Sequence, residues 1–335
     1  MRTSLLFLLS LCVFISGCST APPLPPMETD AIKREQERQT EAALRHKNQQ
    51  RMRLQSVAHP LLVGSAARFC ASKQRYSLGL MLHQIQSYPE LQQKAATAIY
   101  GPLQQPTVLH VLPASPAEHY LLPGDALVAI NQQPVPTAFS NTLAQLQTAS
   151  ATGKRVSLTI NRTGQQHQFE LTPRQTCNYP VRFSNSDRVN GFADGKTITL
   201  NAGMLRFAND SELALIVAHE LAHNVLQHAR TELQRITLGG LLDLVMIGSG
   251  IPSPGIAMGL AGNLGLETYE LQADRLAIDM LSESGYPLEG MAEFWRRLGK
   301  EYPQSIHSQG VESHPGTAER YLRMKQQIEK IQTGG

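Results

Sequence analysis

The stretch Ser211-Glu212-Leu213-Ala214-Leu215-Ile216-Val217-Ala218-His219-Glu220-Leu221-Ala222-His223-Asn224 constrains this chain more than any other. Apolar residues recur at Leu213, Ile216, Val217, Leu221 and Val225, spacings of three and four that lay one buried stripe along a helix. Just upstream, Asn209-Asp210-Ser211 supplies N-cap side chains, so the helix start is specified locally. On that helix His219 and His223 project from one face, near enough to share one metal ion, with Glu220 beside them. The spacing therefore predicts a buried helix whose histidines hold a metal.

The start of the chain reads differently. Met1-Arg2 is cationic, the run from Leu5 to Ile15 is apolar but too short to span a bilayer, and Ser16-Gly17 are small, so residues 1–17 are expected to be a secretion signal. Ile15-Ser16-Gly17-Cys18 resembles a bacterial lipobox, which implies that Cys18 becomes a lipidated first residue; an ordinary cleaved signal is the alternative. Ser19, rather than Asp, follows, which in Gram-negative lipoproteins implies the outer membrane, here facing the periplasm. The apolar stretch Leu238 to Leu266 is broken by Asp243, Pro252, Pro254 and several glycines and is not expected to span. A net charge of +3 gives no electrostatic case for a nucleic-acid partner. In an oxidising compartment Cys70 and Cys177 are expected to pair, with two buried thiols as the alternative.

Residues 18–56 begin with Pro22, Pro23, Pro25 and Pro26, a stiff tether, and continue as a charged, solvated helix over Asp30 to Gln55. Residues 57–97 read as an N-terminal segment packing on the body, with a short helix near Gly79 to Gln86. Beyond Thr107 short strands and turns take over, with a helix near Ser140 to Gln147 and alternating strands Val156 to Ile160 and Gln168 to Leu171. Ser115-Pro116-Ala117, Leu122-Pro123-Gly124-Asp125 and Ile130-Asn131 occur in the order seen in protease-associated PDZ domains, and residues 98–173 resemble such a β-rich domain. That resemblance implies a groove between an edge strand and the Ser140 helix that binds an extended peptide; a rigid spacer is the other reading. Pro102 in Tyr100-Gly101-Pro102-Leu103, the stretch placed at the carboxylate loop, removes a donor amide and argues against terminal-carboxylate capture. Further on, Val189 to Leu200 reads as a hairpin turning at Asp194-Gly195.

Two histidines leave a tetrahedral metal short of one protein ligand and one water. His228 follows His223 without the glycine turn that a third histidine would need, so it is expected to continue on the same helix, facing away or capping. In Glu267-Thr268-Tyr269-Glu270-Leu271-Gln272-Ala273-Asp274, Glu270 and Asp274 stand one turn apart on an expected second helix. Glu270 is the candidate ligand and Asp274 the acceptor for a ligand histidine's second nitrogen, with Glu267 competing for the ligand role.

His219-Glu220-x-x-His223, Glu270-x-x-Ala273-Asp274 and Ser313-His314-Pro315 with Arg320 match in order the zinc endopeptidases (gluzincins) that include the CAAX prenyl protease, the bacterial heat-shock membrane protease and periplasmic quality-control proteases. Asn190-Gly191-Phe192 is similar to their edge-strand signature, with Gly191 in place of alanine. The resemblance covers about residues 177–328. It implies one Zn2+ per chain on His219, His223 and Glu270, Glu220 as general base, and polypeptide substrates. His314 is implied beside the metal, as an oxyanion donor or an inhibitory fourth ligand, and Arg320 as orienting an acidic neighbour or the substrate. The expected class is α+β: a PDZ-like β-rich domain before a mostly α zincin-like domain at 174–330 with a small edge-strand sheet. The competing function is a non-proteolytic binding or assembly factor with a structural zinc.

Overall fold

The computed structural model describes residues 27–228, 266–307 and 316–333. The signal-like residues 1–17, Cys18 and His314 lie outside them. Contacts divide the chain into two compact units, 1–39 and 40–335. Helix α1 (Thr29–Gly64) crosses that division. It runs nine residues past the expected end at Gln55, and Leu54, Val57, Ala58, Leu61 and Leu62 are buried. The charged composition of its first half hid an apolar second half that packs into the main core.

After α2 (Ala66–Phe69) come β1 (Gln74–Ser77) and β2 (Leu80–His83). The helix expected near Gly79 to Gln86 is therefore a strand followed by a single 3-10 turn at Ile85–Ser87. Four residues of Leu-Met-Leu-His do not distinguish helix from strand by period, and antiparallel pairing with β3 (Thr107–Val111) decides it. Between them α3 (Glu90–Tyr100) ends at Gly101, whose φ of 79° closes the helix. Its small core includes Leu44, Tyr88 and Leu103.

The sheet continues with β4 (Ala126–Ile130), the short β5 (Gln133–Pro134), then, after α4 (Phe139–Ser150), β6 (Val156–Arg162) and β7 (Gln165–Leu171). Its order is β2-β3-β4-β6-β7, with β5 on β4, and all pairs are antiparallel. The turn between β6 and β7 is tight because Thr163 and Gly164 both take positive φ, matching the twist of the strands. Leu127, Ile130, Val156, Leu158 and Ile160 fill the core of this sheet. The first strand, β2, lies upstream of the 98–173 range read from the sequence, so Ser77-Leu78-Gly79, not Tyr100-Gly101-Pro102-Leu103, leads into the edge strand. A cavity of about 520 Å³ is lined by Leu80 and Met81 of β2 and Leu143 and Leu146 of α4, and extends to His59 and Leu62 of α1 and Tyr76 of β1.

Strand β8 (Arg174–Cys177) pairs with β1, and a Cys70–Cys177 disulfide ties α2 to β8 across 107 positions of sequence. A three-stranded sheet follows, β10 (Gly191–Ala193), β11 (Ile198–Asn201) and β9 (Val181–Ser184) in that order. β10 and β11 form the hairpin, and Gly195 supplies its turn with φ 81°.

Helices α5 (Ala202–Phe207) and α6 (Asp210–Val225) lead into the main core. Asn209 accepts from the Glu212 amide while the Glu212 carboxylate accepts from the Asn209 amide, a reciprocal cap that fixes where α6 begins. At the corner before it, Arg53 donates to the carbonyls of Leu205 and Ala208, and Arg297 to that of Phe207. Every residue from Glu212 to Ala222 is buried, so α6 is enclosed on all sides. α7 (Leu266–Glu283), α8 (Glu293–Glu301) and α9 (Thr317–Gln332) complete the layer, with Ala277, Leu281, Phe294, Trp295 and Met324 in the same core. The class is α+β, and no helix among the described residues is long and apolar enough to cross a membrane.

Candidate metal centre

Helical spacing brings His219 Nε2 and His223 Nε2 within 3.0 Å. α7 crosses α6 and inserts the buried Glu270 between them, Oε1 3.2 Å from His223 Nε2 and Oε2 3.3 Å from His219 Nε2. An ion held at about 2.0–2.1 Å separates neighbouring tetrahedral donors by about 3.3–3.4 Å, and His219, His223 and Glu270 each offer one ligand atom within 4.8 Å of the others, close enough to share one ion. Glu267, one turn before, is exposed.

The charges agree with that geometry. Glu220, Glu270 and Asp274 are buried carboxylates, and Arg320 is the buried guanidinium they share among the described residues, which leaves room for a dication. Asp274 Oδ1 lies 2.9 Å from His219 Nδ1. Arg320, from α9, donates to both Asp274 oxygens at 2.6 and 2.7 Å, and its guanidinium lies 3.5 Å over the Trp295 ring. Burial lowers the His219 pKa, but the hydrogen bonds to Asp274 and Glu270 outweigh it and bring it up to about 10. A field that holds a proton so firmly also attracts a metal ion, which competes for the same nitrogen. Burial opposes ionisation of Asp274, yet Arg320 and His219 hold its carboxyl below the usual range. At Glu220 burial dominates and the pKa is raised, the shift a proton-accepting carboxylate needs near neutral pH.

The edge strand β10 runs past this group. A Cβ on Gly191 would stand 3.4 Å from Glu220 Oε1 and 3.3 Å from Ile216 Cγ2, which places the strand in van der Waals contact with the carboxylate. Asn224 locks the hairpin to α6, accepting from the Gly195 amide at 2.6 Å and donating to the Thr197 carbonyl at 3.0 Å. The cleft, about 420 Å³, is lined by Phe192, Met204, Glu220, Trp295, His307 and Arg320.

One sequence expectation is corrected here. His228 does not continue on α6: the helix stops at Val225, Gln227 takes φ 58°, and the chain turns back. His228 Nδ1 then meets His223 Nδ1 at 3.0 Å, while its Nε2 reaches Gln272 Oε1 at 3.3 Å. Burial, followed by the nearby His223, pushes its pKa down to about 4. Asn224, Gln272 and Trp295 were not read from the sequence as site residues. The one signal at Asn224 is a polar side chain directly after the His-Glu-x-x-His stretch of the helix.

Two histidines on one helix and a glutamate from a second form a group that could hold a metal ion, and a further glutamate stands beside it, the arrangement of a gluzincin-type metal hydrolase. The chain belongs to peptidase family M48, which residues 154–328, more than half its length, match. It is 33% identical over 134 residues to the beta-barrel assembly-enhancing protease of Yersinia pestis, covering 35% of this chain and 27% of that protein. It is 24% identical over 163 residues to metalloprotease LoiP of Escherichia coli K12, covering 46% and 64%. The chain thus spans about a quarter of the length of the first of these relatives. Among solved structures, the HtrA-type protease AlgW with a decapeptide overlaps 32% of this chain and 30% of its own, at 24% identity and a TM-score of 0.24, too low to bear on fold or function.

Proposed function

We propose that the chain is a zinc-dependent endopeptidase that hydrolyses polypeptides of the bacterial envelope in protein quality control. The observation that carries this reading is the convergence of His219 Nε2, His223 Nε2 and Glu270 within 3.0–3.3 Å, with Glu220 beside them. Zinc, when bound, supplies Lewis-acid polarisation of the scissile carbonyl and of the attacking water. Glu220, its pKa raised by burial, takes the water's proton and returns it to the leaving amine. Asp274, itself gripped by Arg320, accepts from His219 Nδ1 and keeps that ring aimed. β10, the outer strand of its sheet, offers backbone groups to an extended substrate, with the half-exposed Phe192 along the cleft.

The antiparallel sheet with α4 serves as a PDZ-like recruiting module whose groove runs along β2. The lipobox-like Ile15-Ser16-Gly17-Cys18 and Ser19 support attachment to the outer membrane through lipid on Cys18, facing the periplasm. The test is Glu220→Gln. It should retain zinc and fold while casein hydrolysis falls by about 100-fold or more, the scale of a lost general base. Activity within tenfold of the parent, or hydrolysis indifferent to a chelator, would overturn the assignment.

A further inference from the structure

His219 has a carboxylate brace at Nδ1, but what orients His223 is of another kind. The chain reversal at Gln227 sets His228 against the His223 ring, Nδ1 to Nδ1 at 3.0 Å, instead of letting it follow α6 outward. His228 is 6% exposed and stacks on Tyr269, ring centroids 4.3 Å apart and planes 16° apart, so its ring has little freedom to rotate. Its far nitrogen, Nε2, lies 3.3 Å from Gln272 Oε1.

Only one placement of protons along these atoms leaves His223 able to hold a metal. The ligand lone pair must be on His223 Nε2, the atom facing His219 and Glu270, so the ring proton sits on Nδ1. That Nδ1–H needs an acceptor, and among the described residues His228 Nδ1 is the atom in reach. An accepting Nδ1 puts the single proton of His228 on Nε2, where Gln272 Oε1 accepts it.

We propose that His228 is a positioning residue for the metal: a neutral relay, set by Gln272, that holds His223 in its metal-binding tautomer. The inference rests on the proposed zinc reading of the site. It makes the two ligand histidines unlike each other, since Asp274 supplies His219 with an anionic brace while His223 receives direction without added charge. It also makes α7 the organiser of the whole group, because Glu270, Gln272 and Asp274 come from little more than one turn of it, with Tyr269 as the shelf under His228.

The experiment measures zinc affinity of the full chain by competition with a chromophoric chelator, so that turnover is not the readout. His228→Leu should lose 10- to 100-fold in affinity, the usual scale for removing an outer partner of a ligand histidine. His228→Asn, whose Oδ1 takes the place of Nδ1 as acceptor, should recover most of that loss. Gln272 is exposed; Gln272→Glu, which keeps an acceptor, should bind zinc like the parent, and Gln272→Met more weakly. If His228→Leu fails to fold, the two Gln272 variants carry the same test. Parental affinity in His228→Leu and Gln272→Met overturns the relay, as does an equal loss in His228→Leu and His228→Asn with both folded by circular dichroism. A parent protein that binds no zinc overturns the metal reading itself, an outcome distinct from failure of the relay alone.

Discussion

Replacing Arg320 by Met tests whether the charge network behind the metal group is held together as its geometry implies. Met keeps an unbranched apolar chain under Trp295 but removes the guanidinium, which stands 6% exposed and donates to Asp274 at 2.6 and 2.7 Å. Two charge-assisted hydrogen bonds contribute about 1.5–3 kcal/mol each. Asp274, 4% exposed, would keep the protonated His219 as its partner but lose the guanidinium and both of its hydrogen bonds. Breaking a buried pair by deleting one member costs about 3–5 kcal/mol, and with His219 still beside Asp274 about 3 kcal/mol, the lower end, is the expected loss here. That is a large share of the roughly 5–15 kcal/mol that stabilises a typical domain. The assay is urea unfolding followed by circular dichroism with chelator present throughout, so that zinc release does not contribute. Asp274→Asn in the Arg320→Met background removes the carboxylate charge and should return at least about 1 kcal/mol, the coupling expected of residues in one network. A loss below about 1 kcal/mol for Arg320→Met, or no recovery in the double variant, would refute the reasoning.

Glu270→Ala should lose bound zinc by atomic emission while Glu267→Ala, at an exposed position one turn away, keeps a full equivalent; the reverse result would reassign the ligand. His83 is 3% exposed and shares a 2.6 Å hydrogen bond with the Tyr88 hydroxyl, and burial, aided by Arg51, pushes its pKa down to about 4. The unfolded chain therefore takes up a proton first as pH falls: stability from His83 is present above about pH 6.5 and declines toward pH 4, by at most about 3 kcal/mol. Chemical denaturation at pH 7 and pH 4 should show a smaller drop for His83→Gln than for the parent, and equal drops would contradict this. Replacing both Cys70 and Cys177 by Ala should cost about 4–5 kcal/mol on the chain-entropy scale, because the bridge closes a loop of about 107 residues; denaturation midpoints unchanged by the replacement would show that loop closure contributes little.

What the sequence by itself determined was whatever lies within a turn or two of chain. The start of α6 is written in Asn209 and Glu212, the shared face of His219 and His223 follows from helical period, and the hairpin turn follows from Asp194-Gly195. The same reasoning put Glu270 and Asp274 one turn apart on a second helix, because that spacing too is local. Tertiary structure decided the rest. Leu80–His83 became a strand because β3 offers it a partner, and the second half of α1 was drawn into the core by helices far from it in sequence. That Glu270, and not Glu267, faces the two histidines depends on which face of α7 meets α6, and local period leaves that rotation open. His228 is the clearest case. Its place against His223 depends on an unforced positive φ at Gln227 and on Tyr269 and Gln272, more than forty residues onward, closing around it. A left-handed turn at glutamine has no signature in composition or spacing, since glutamine has no intrinsic preference for it; the packing that rewards the turn exists only once α7 has docked.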